Sequence, residues 1–273
     1  MARVSLMGLD FDPVTEHEAV DAILDRSALG EGGYVVTPNL DYLREYQRTD
    51  DVRDWVDAAD LVVPDGVPLL WASRLKREPL PDRVAGSNLI WSLSHAACLR
   101  GATVFLLGGE PGTAETAARR LRTASPGLDV RGTECPERGF EKRPERLAAL
   151  ARRVAEAEPD IVYVGLPLAK HVAIARELRR RLPQAWIIGV GVSFSFISGD
   201  LHRAPVWVQS AGLEWIHRLA QEPRRLFRRY VLEGIPFAAR LLVYSALARA
   251  LSALALRPDR IVPRRRGSKL KTP

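Results

Sequence analysis

The sequence predicts an α/β protein in which helices flank a mostly parallel β-sheet and a helical appendage follows at the C-terminus. Short apolar runs rich in β-branched residues recur along most of the chain, which is typical of buried parallel strands. Stretches with helical periodicity separate these runs, as crossover helices do. With 273 residues, of which 47% are hydrophobic, the chain is long enough to bury one large core or two smaller ones.

Seven apolar runs, each bounded by turn residues, are predicted to be strands. They cover residues 4–9, 34–37, 61–63, 103–107, 129–132, 161–165 and 186–190. Six amphipathic stretches between them are predicted to be helices. They cover residues 15–29, 51–58, 87–99, 113–124, 143–156 and 168–182, and the last ends at Pro183, since proline cannot continue a helix.

No repeat or low-complexity linker interrupts this alternation, so we expect three regions. Residues 1–196 form the α/β domain, residues 197–256 form a helical, arginine-rich appendage, and residues 257–273 form a basic tail that we expect to be disordered. Within the appendage, residues 235–256 are long enough to span a bilayer but include a proline and two arginines. This stretch therefore either lies on a membrane, aided by the basic tail, or packs on the protein as an amphipathic helix.

The charge of the chain is unevenly distributed. Residues 218–273 contain 14 Lys or Arg and 3 Asp or Glu, whereas residues 1–217 contain 26 and 30. This asymmetry predicts contact with the phosphates of a nucleotide, a nucleic acid or an anionic membrane surface. No nucleic-acid-binding module is recognisable and most of the chain is net acidic, so we expect no nucleic-acid partner.

The cysteine content and the N-terminus favour a cytoplasmic protein. Cys98 and Cys135 are too few for a disulfide framework and suit reduced thiols. The sequence from Met1 lacks a charged segment followed by an apolar core and a cleavage site, so we expect no secretory signal.

Polar residues follow two of the predicted strands, where open parallel sheets bind their ligands. Asp65, in LVVPDGVP, is either a general base that faces a cleft or a turn or N-cap aspartate. Thr37 and Asn39 follow the preceding strand and are suited to bind hydroxyl or acetamido groups.

Three glycines, Gly108, Gly109 and Gly112, lie between a predicted strand and a predicted helix. Such a turn either lets backbone amides approach a pyrophosphate or is a plain tight turn. The segment satisfies neither the GxGxxG fingerprint nor the P-loop pattern. A nicotinamide-dependent oxidoreductase is disfavoured, because no acidic residue follows at the spacing that would bind a ribose.

Arg218, Arg225 and Arg228 are spaced by seven and three residues, which places them on one face of a predicted helix. Their forked donors suit bidentate phosphate capture, and we expect no matching acidic partners. The alternative is a solvated helix face.

Several segments, taken in order, resemble the WecG/TagA/CpsF family of glycosyltransferases, glycosyltransferase family 26. They are TPNLDYL, ADLVVPDGVPLLWASRLKREPLPDRVAGSNL, VFLLGGEPGTAETAARRL, DIVYVGLP and IIGVGVSFSFISGDLHRAPVWVQSAGLEWIHRLAQEPRRLFRRY. The resemblance implies a Rossmann-like domain, a UDP-sugar donor and an acceptor sugar on a polyprenyl diphosphate. It further implies an inverting, metal-independent transfer without a cofactor, in the synthesis of bacterial cell-surface polysaccharide or glycolipid.

The resemblance also assigns roles to residues. Asp65 is expected to be the catalytic base, with Thr37, Asn39 and Arg83 lining the pocket. The appendage arginines are expected to close over the diphosphate, with the protein peripheral on the inner face of the cell membrane. Homo-oligomer formation stays open, and the alternative is a non-catalytic subunit that binds the lipid diphosphate or a partner enzyme.

The chain departs from the family pattern at two positions near the expected donor site. Where the family has G-x-P-K-Q-E, this chain has Ala169 in place of the glutamine, followed by Lys170 and His171. Ser195 replaces the aspartate of G-A-F-D-F. These changes predict an altered donor, with a negative charge beside Lys170 or His171, and UDP-N-acetylmannosamine is then not the preferred one.

Overall fold

A computed structural model describes residues 2–253, whose centre is a six-stranded sheet with parallel pairing throughout. The strands are β3 (Gly33–Val36), β4 (Leu61–Val62), β5 (Val104–Gly108), β6 (Val130–Glu134), β7 (Ile161–Gly165) and β8 (Trp186–Gly189), in the order β4-β3-β8-β7-β5-β6. The predicted α/β class with its parallel sheet is confirmed. The strand order differs from the 3-2-1-4-5-6 arrangement of dinucleotide-binding folds.

Helices cover both faces of the sheet, because successive side chains of a strand point to opposite sides. Phe105 and Leu107 of β5 belong to one apolar cluster, and Val104 and Leu106 belong to the other. The helices are α1 (Glu16–Ala28), α2 (Leu40–Arg48), α3 (Asp50–Asp57), α4 (Val67–Lys76), α5 (Gly86–Arg100), α6 (Thr113–Ala124), α7 (Pro144–Glu156), α8 (Leu168–Arg181) and α9 (Ser193–Ser198).

Four of these elements differ from the prediction. Residues 4–9 are not one strand, because the chain turns at Met7 and Gly8, which both have positive φ, and forms a hairpin of β1 (Val4–Leu6) and β2 (Leu9–Phe11). Helices α2, α4 and α9 are not among the six predicted helices. Asn39 caps α2, and Pro68 lies in the first turn of α4, where proline is tolerated.

The appendage contains α10 (Val206–Ser210), α11 (Glu214–Gln221), α12 (Pro223–Phe227), a π-helical turn (Arg228–Gly234) and α13 (Ile235–Ala253). Helix α13 packs along α4 through a buried stripe of Phe237, Leu241, Ser245 and Ala248. Phe237 and Leu241 belong to the same apolar cluster as one face of the sheet. The appendage is therefore packed on the α/β domain, whose predicted boundary at residue 196 stays a prediction.

Outside this stripe, α13 also carries exposed apolar side chains. Ile235, Val243, Tyr244 and Leu247 are all exposed there. Among the described residues, one helix, Pro223–Leu251, is long and apolar enough to cross a bilayer, although α13 rests on α4 along its buried stripe. The predicted basic tail, residues 257–273, lies outside the described residues.

Candidate active site

The loops that follow β3 and β4 bring Asn39 and Asp65 side by side. Pairing continues beyond the strands, because Val63 N–H donates to the Val36 carbonyl at 3.0 Å and Asp65 N–H donates to the Pro38 carbonyl at 2.9 Å. A third segment joins them where Val84 N–H donates to the Pro64 carbonyl at 2.9 Å. The carboxyl end of the sheet thus collects Thr37, Asn39 and Asp65, with Arg83 next to them.

Asp65 does not cap α4, the helix that follows it. The N-cap of α4 is Gly66, which makes no side-chain cap bond, while the Asp65 carboxylate accepts from the backbone N–H of Gly86 at the start of α5. Gly86 can occupy this position, tightly packed against the end of β8, because it lacks a side chain. A Cβ there would stand 2.9 Å from the Gly189 carbonyl oxygen. The N-cap interpretation of Asp65 is therefore wrong for this chain.

Four charged side chains meet at this point, and we call them the Asp65 cluster: Asp65, Arg83, Arg203 and Glu214. Glu214, at the start of α11, bridges the two arginines, with Oε2 at 3.2 Å from Arg83 Nη1 and Oε1 at 3.6 Å from Arg203 Nε. Arg203 also donates to Asn88 Oδ1 at 2.6 Å. Two guanidinium groups and two carboxylates from widely separated segments thus lie close together at the carboxyl edge of the sheet.

Burial raises the pKa of the Asp65 carboxyl to about 6, and Glu214 adds to the rise, whereas Arg83, Arg203 and the Gly86 N–H oppose it. A general base works best when its pKa lies near the operating pH. Asp65 is therefore ionised at neutral pH and able to accept a proton.

Thr37 and Asn39 have structural bonds of their own. Thr37 Oγ1 donates to the Gly189 carbonyl at 3.3 Å, which ties the ends of β3 and β8 together. Asn39 Oδ1 caps α2 by accepting from the N–H groups of Asp41 and Tyr42 at 3.1 and 3.0 Å. The amide nitrogen of Asn39 is not part of that cap, so its predicted binding role stays a prediction.

Within the glycine turn, residues 108–112, close packing requires a glycine at position 108. Gly108 pairs with Gly165 of β7 and has φ +120, and a Cβ there would lie 2.5 Å from the Gly165 carbonyl oxygen. At the start of α6, Thr113 Oγ1 donates to Asp200 Oδ2 at 2.9 Å. Hydrogen bonds from Ser198 and then Thr113 lower the pKa of the Asp200 carboxyl. A carboxylate therefore lies at the helix start where a phosphate was an alternative.

The appendage arginines do not share one helix face. Helix α11 ends at Gln221 and the backbone at Glu222 leaves the helical region, so Arg218 is separated from Arg225 and Arg228. The expectation of no acidic partners is also wrong: Glu222 pairs with Arg218 at 3.4 Å and with Arg225, and Glu233 pairs with Arg228 at 3.1 Å.

Burial further separates the three arginines. Only 18% of the Arg218 side chain is exposed, and its guanidinium lies over the Phe196 ring at 5.6 Å. Arg218 is one turn beyond Glu214 on α11, whereas Arg225 and Arg228 are 55% and 82% exposed. Arg218 thus lies one helical turn from Glu214 of the Asp65 cluster, and the other two arginines are more exposed.

The departures from the family pattern lie elsewhere along the same edge of the sheet. Ala169 is exposed in the first turn of α8, Lys170 is half-buried, and Ser195 is half-buried in α9. His171 is buried against Trp55, and burial lowers the pKa of its imidazole to about 4. His171 is therefore neutral at pH 7, so the predicted contact of a charged donor with His171 lacks a cation, and the one with Lys170 stays a prediction.

Within residues 2–253, no three His, Cys, Asp or Glu side chains are grouped so that they could hold a metal ion. Metal-independent chemistry stays a prediction.

The fold and the Asp65 cluster define an α/β protein with a basic carboxylate and paired arginines at the carboxyl edge of a parallel sheet. The chain belongs to the glycosyl transferase WecG/TagA/CpsF family, whose pattern it matches over residues 4–250. It is also similar to the N-acetylglucosaminyldiphosphoundecaprenol N-acetyl-β-D-mannosaminyltransferase of Bacillus spizizenii. The two are 29% identical over 195 residues, which cover 71% of this chain and 74% of that protein.

Two members of the Asp65 cluster were not among the predicted site residues. Arg203 and Glu214 lie in the last segment that resembles the family, but no role was assigned to them. A signal existed for Glu214, since it is an acidic residue just before the arginine-rich stretch. Nothing in the spacing showed that it would reach Arg83, which is 131 residues away.

Proposed function

We propose that the protein is an inverting glycosyltransferase that moves a sugar from a UDP-sugar to a sugar linked to a polyprenyl diphosphate. The observation that carries this proposal is Asp65, a carboxylate with a pKa of about 6 beside Arg83 and Arg203 at the carboxyl edge of the sheet. Membership of a glycosyl transferase family supports it. The product serves the synthesis of cell-surface polysaccharide or glycolipid.

In the proposed reaction, Asp65 accepts the proton of the acceptor hydroxyl while that oxygen attacks the anomeric carbon of the donor. The new glycosidic bond forms as the bond between the anomeric carbon and the UDP oxygen breaks, so UDP leaves with the bonding electron pair. Attack from the face opposite UDP inverts the configuration. Holding both substrates in one site lowers the entropic part of the barrier.

Arginines are suited to the charge that develops on the diphosphate. Arg83, Arg203 and Arg218 are partly buried, in the Asp65 cluster or one helical turn from it, and are the first candidates. Arg225 and Arg228 lie further out, so a role for them requires the appendage to close over the ligand. Thr37, Asn39 and the backbone around Gly108 and Gly109 complete the proposed pocket.

The acceptor proposal is supported by the similar protein from Bacillus spizizenii, whose name specifies an N-acetylglucosaminyl-diphosphoundecaprenol substrate. An acceptor of this kind has a sugar, a diphosphate and a long lipid. The exposed apolar side chains of α13 fit a peripheral position at the inner face of the membrane. Removing residues 257–273 should weaken binding to anionic vesicles, more strongly at low salt.

Two lines of argument lead to different donor sugars. The name of the similar protein specifies an N-acetylmannosaminyl group. Ala169 in place of the family glutamine, beside Lys170, favours a donor with a negative charge instead. We propose a uronic acid or another acidic donor, and a preference for UDP-N-acetylmannosamine would refute this part alone.

The experiment is a donor panel. The full-length protein is mixed with a short-chain polyprenyl diphosphate that carries N-acetylglucosamine and, in separate reactions, with UDP-N-acetylmannosamine, UDP-N-acetylglucosamine, UDP-glucose and a UDP-uronic acid. UDP release and the mass of the lipid product are measured, with D65N as the inactive control. Transfer from any of these donors supports the proposal.

The second candidate, a non-catalytic subunit, is favoured by the loss of the family glutamine and aspartate at Ala169 and Ser195. Saturable binding of the acceptor, together with no UDP release from any donor, would establish it in place of the enzyme. An A169Q/S195D variant that gains transfer would identify the two positions as the cause.

A further inference from the structure

The position of Glu214 is set by tight packing of the appendage on α4. Gly212 lies against Val67, the first residue of α4, with φ +74, and a Cβ there would stand 2.9 Å from the Val67 Cβ. Helix α11 begins two residues later. The Glu214 carboxylate is thereby delivered between Arg83 of the α4–α5 loop and Arg203 of the appendage.

Arg83 and Arg203 create a difficulty for a catalytic base. A nearby guanidinium favours the ionised form of a carboxyl and so makes it a weaker proton acceptor. Asp65 is exposed to two of them and to the Gly86 N–H, all of which act in the same direction. Glu214 has the opposite effect, because its negative charge favours the protonated form of Asp65 and raises its pKa.

We propose that Glu214 is a positioning residue that engages both guanidinium groups and offsets their charge, so that Asp65 keeps its strength as a base. The inference rests on the proposed function. It gives the appendage a second role in the reaction: its arginines are assigned to the diphosphate, and its Glu214 carboxylate acts on the base. The carboxylate comes from the appendage, so Asp65 acquires this environment only when α11 is docked.

The proposal predicts a shift in the titration of Asp65. In E214Q, Arg83 and Arg203 lose their counter-charge, and the midpoint of Asp65 should fall by about 1 pH unit. The midpoint is measured by NMR on the full-length protein with ¹³C-labelled aspartate carboxyls, with D65N to assign the resonance. The acid limb of the pH profile of kcat/KM should move to lower pH by the same amount.

Two further variants separate charge from shape. E214D keeps the carboxylate and should keep the wild-type midpoint. The double variant R203Q/E214Q removes one charge of each sign, so the Asp65 midpoint should return towards the wild-type value. A purely structural role predicts no such rescue, and the double variant also serves if E214Q alone folds poorly.

Glu233 provides a matched control, because it is another appendage carboxylate that bridges two arginines, Arg44 at 2.9 Å and Arg228 at 3.1 Å. It is not among the groups that act on Asp65. E233Q should therefore leave the Asp65 midpoint unchanged even if it loosens the appendage.

An unchanged Asp65 midpoint in E214Q would overturn the inference, whatever the activity. Transfer by D65N at the wild-type rate would instead overturn the proposed function. The titration of Asp65 in the wild type and in E214Q would still be measurable, so the two failures can be told apart.

Discussion

The Asp65 cluster and the glycine turn lie at the same edge of one sheet, yet they are built in opposite ways. Around Asp65, two arginines and a second carboxylate from three parts of the chain converge on a half-buried base. Around Gly108, the backbone of β5 approaches that of β7 so closely that no side chain fits.

The comparison shows that a familiar sequence pattern can have a structural cause. Glycines after a strand suggest phosphate binding, but Gly108 is required for close packing, and Asp200 lies at the start of α6. The charged side chains of the Asp65 cluster lie instead near the carboxyl ends of β3 and β4.

The largest expected effect is on transfer. D65N keeps the size of the side chain but removes the base, so turnover should fall by roughly 10²–10⁴-fold. UDP release with the lipid acceptor measures it. D200N makes the same isosteric change beside the glycine turn and should cost less than about tenfold, since Asn still accepts from Thr113. Equal losses in both variants would remove the contrast.

The glycine turn should respond in stability. G108A places a Cβ 2.5 Å from the Gly165 carbonyl oxygen and forces alanine to φ +120. We expect a loss of about 2–4 kcal/mol in the free energy of unfolding, measured by urea denaturation. G112A is the matched control, because Gly112 also has positive φ but nothing lies within 4 Å of its Cβ, so about 1 kcal/mol should be lost. Similar losses would mean that the close approach is relaxed at little cost.

Asp65 should reduce the stability of the folded protein at neutral pH. Its pKa is raised from 3.8 to about 6 in the folded state, so the stabilisation from the protonated form is present below pH 3.8 and is lost as pH rises through 6. D65N should therefore be more stable than wild type by about 1–3 kcal/mol at pH 7.5, with no gain near pH 4. A gain that does not change with pH would point to packing rather than charge.

The smallest effect distinguishes the appendage arginines. R218A should raise KM for the acceptor by about tenfold, because Arg218 lies one helical turn from Glu214 of the Asp65 cluster. R228A removes a side chain that is 82% exposed and should raise KM by about twofold or less. If R228A has the larger effect, the appendage closes over the ligand in a way that brings Arg228 inward.

The sequence was sufficient for the class of fold and for part of the site. Strands such as Ile161–Gly165 were predictable because continuous apolar runs leave few other options. Asp65 could be selected because polar residues at strand ends meet at one edge. The single arginine face was wrong although the sequence holds the signal, because Pro223 lies between Arg218 and Arg225 and begins a new helix. Glu214 required a contact between distant segments, which periodicity does not encode.

The pairing of β3 with β8 has a consequence for synthesis of the protein. Thr37 at the end of β3 bonds to Gly189 at the end of β8, 152 residues later, and Arg83 meets Glu214 across 131 residues. Such distant contacts slow folding, because a long loop must be closed before they form. On the ribosome, β5, β6 and β7 can pair with one another before β8, the strand that joins β3 to β7, has been made. The Asp65 cluster therefore stays incomplete in the nascent chain until α11 has emerged from the ribosome. By then, almost the whole protein has been made.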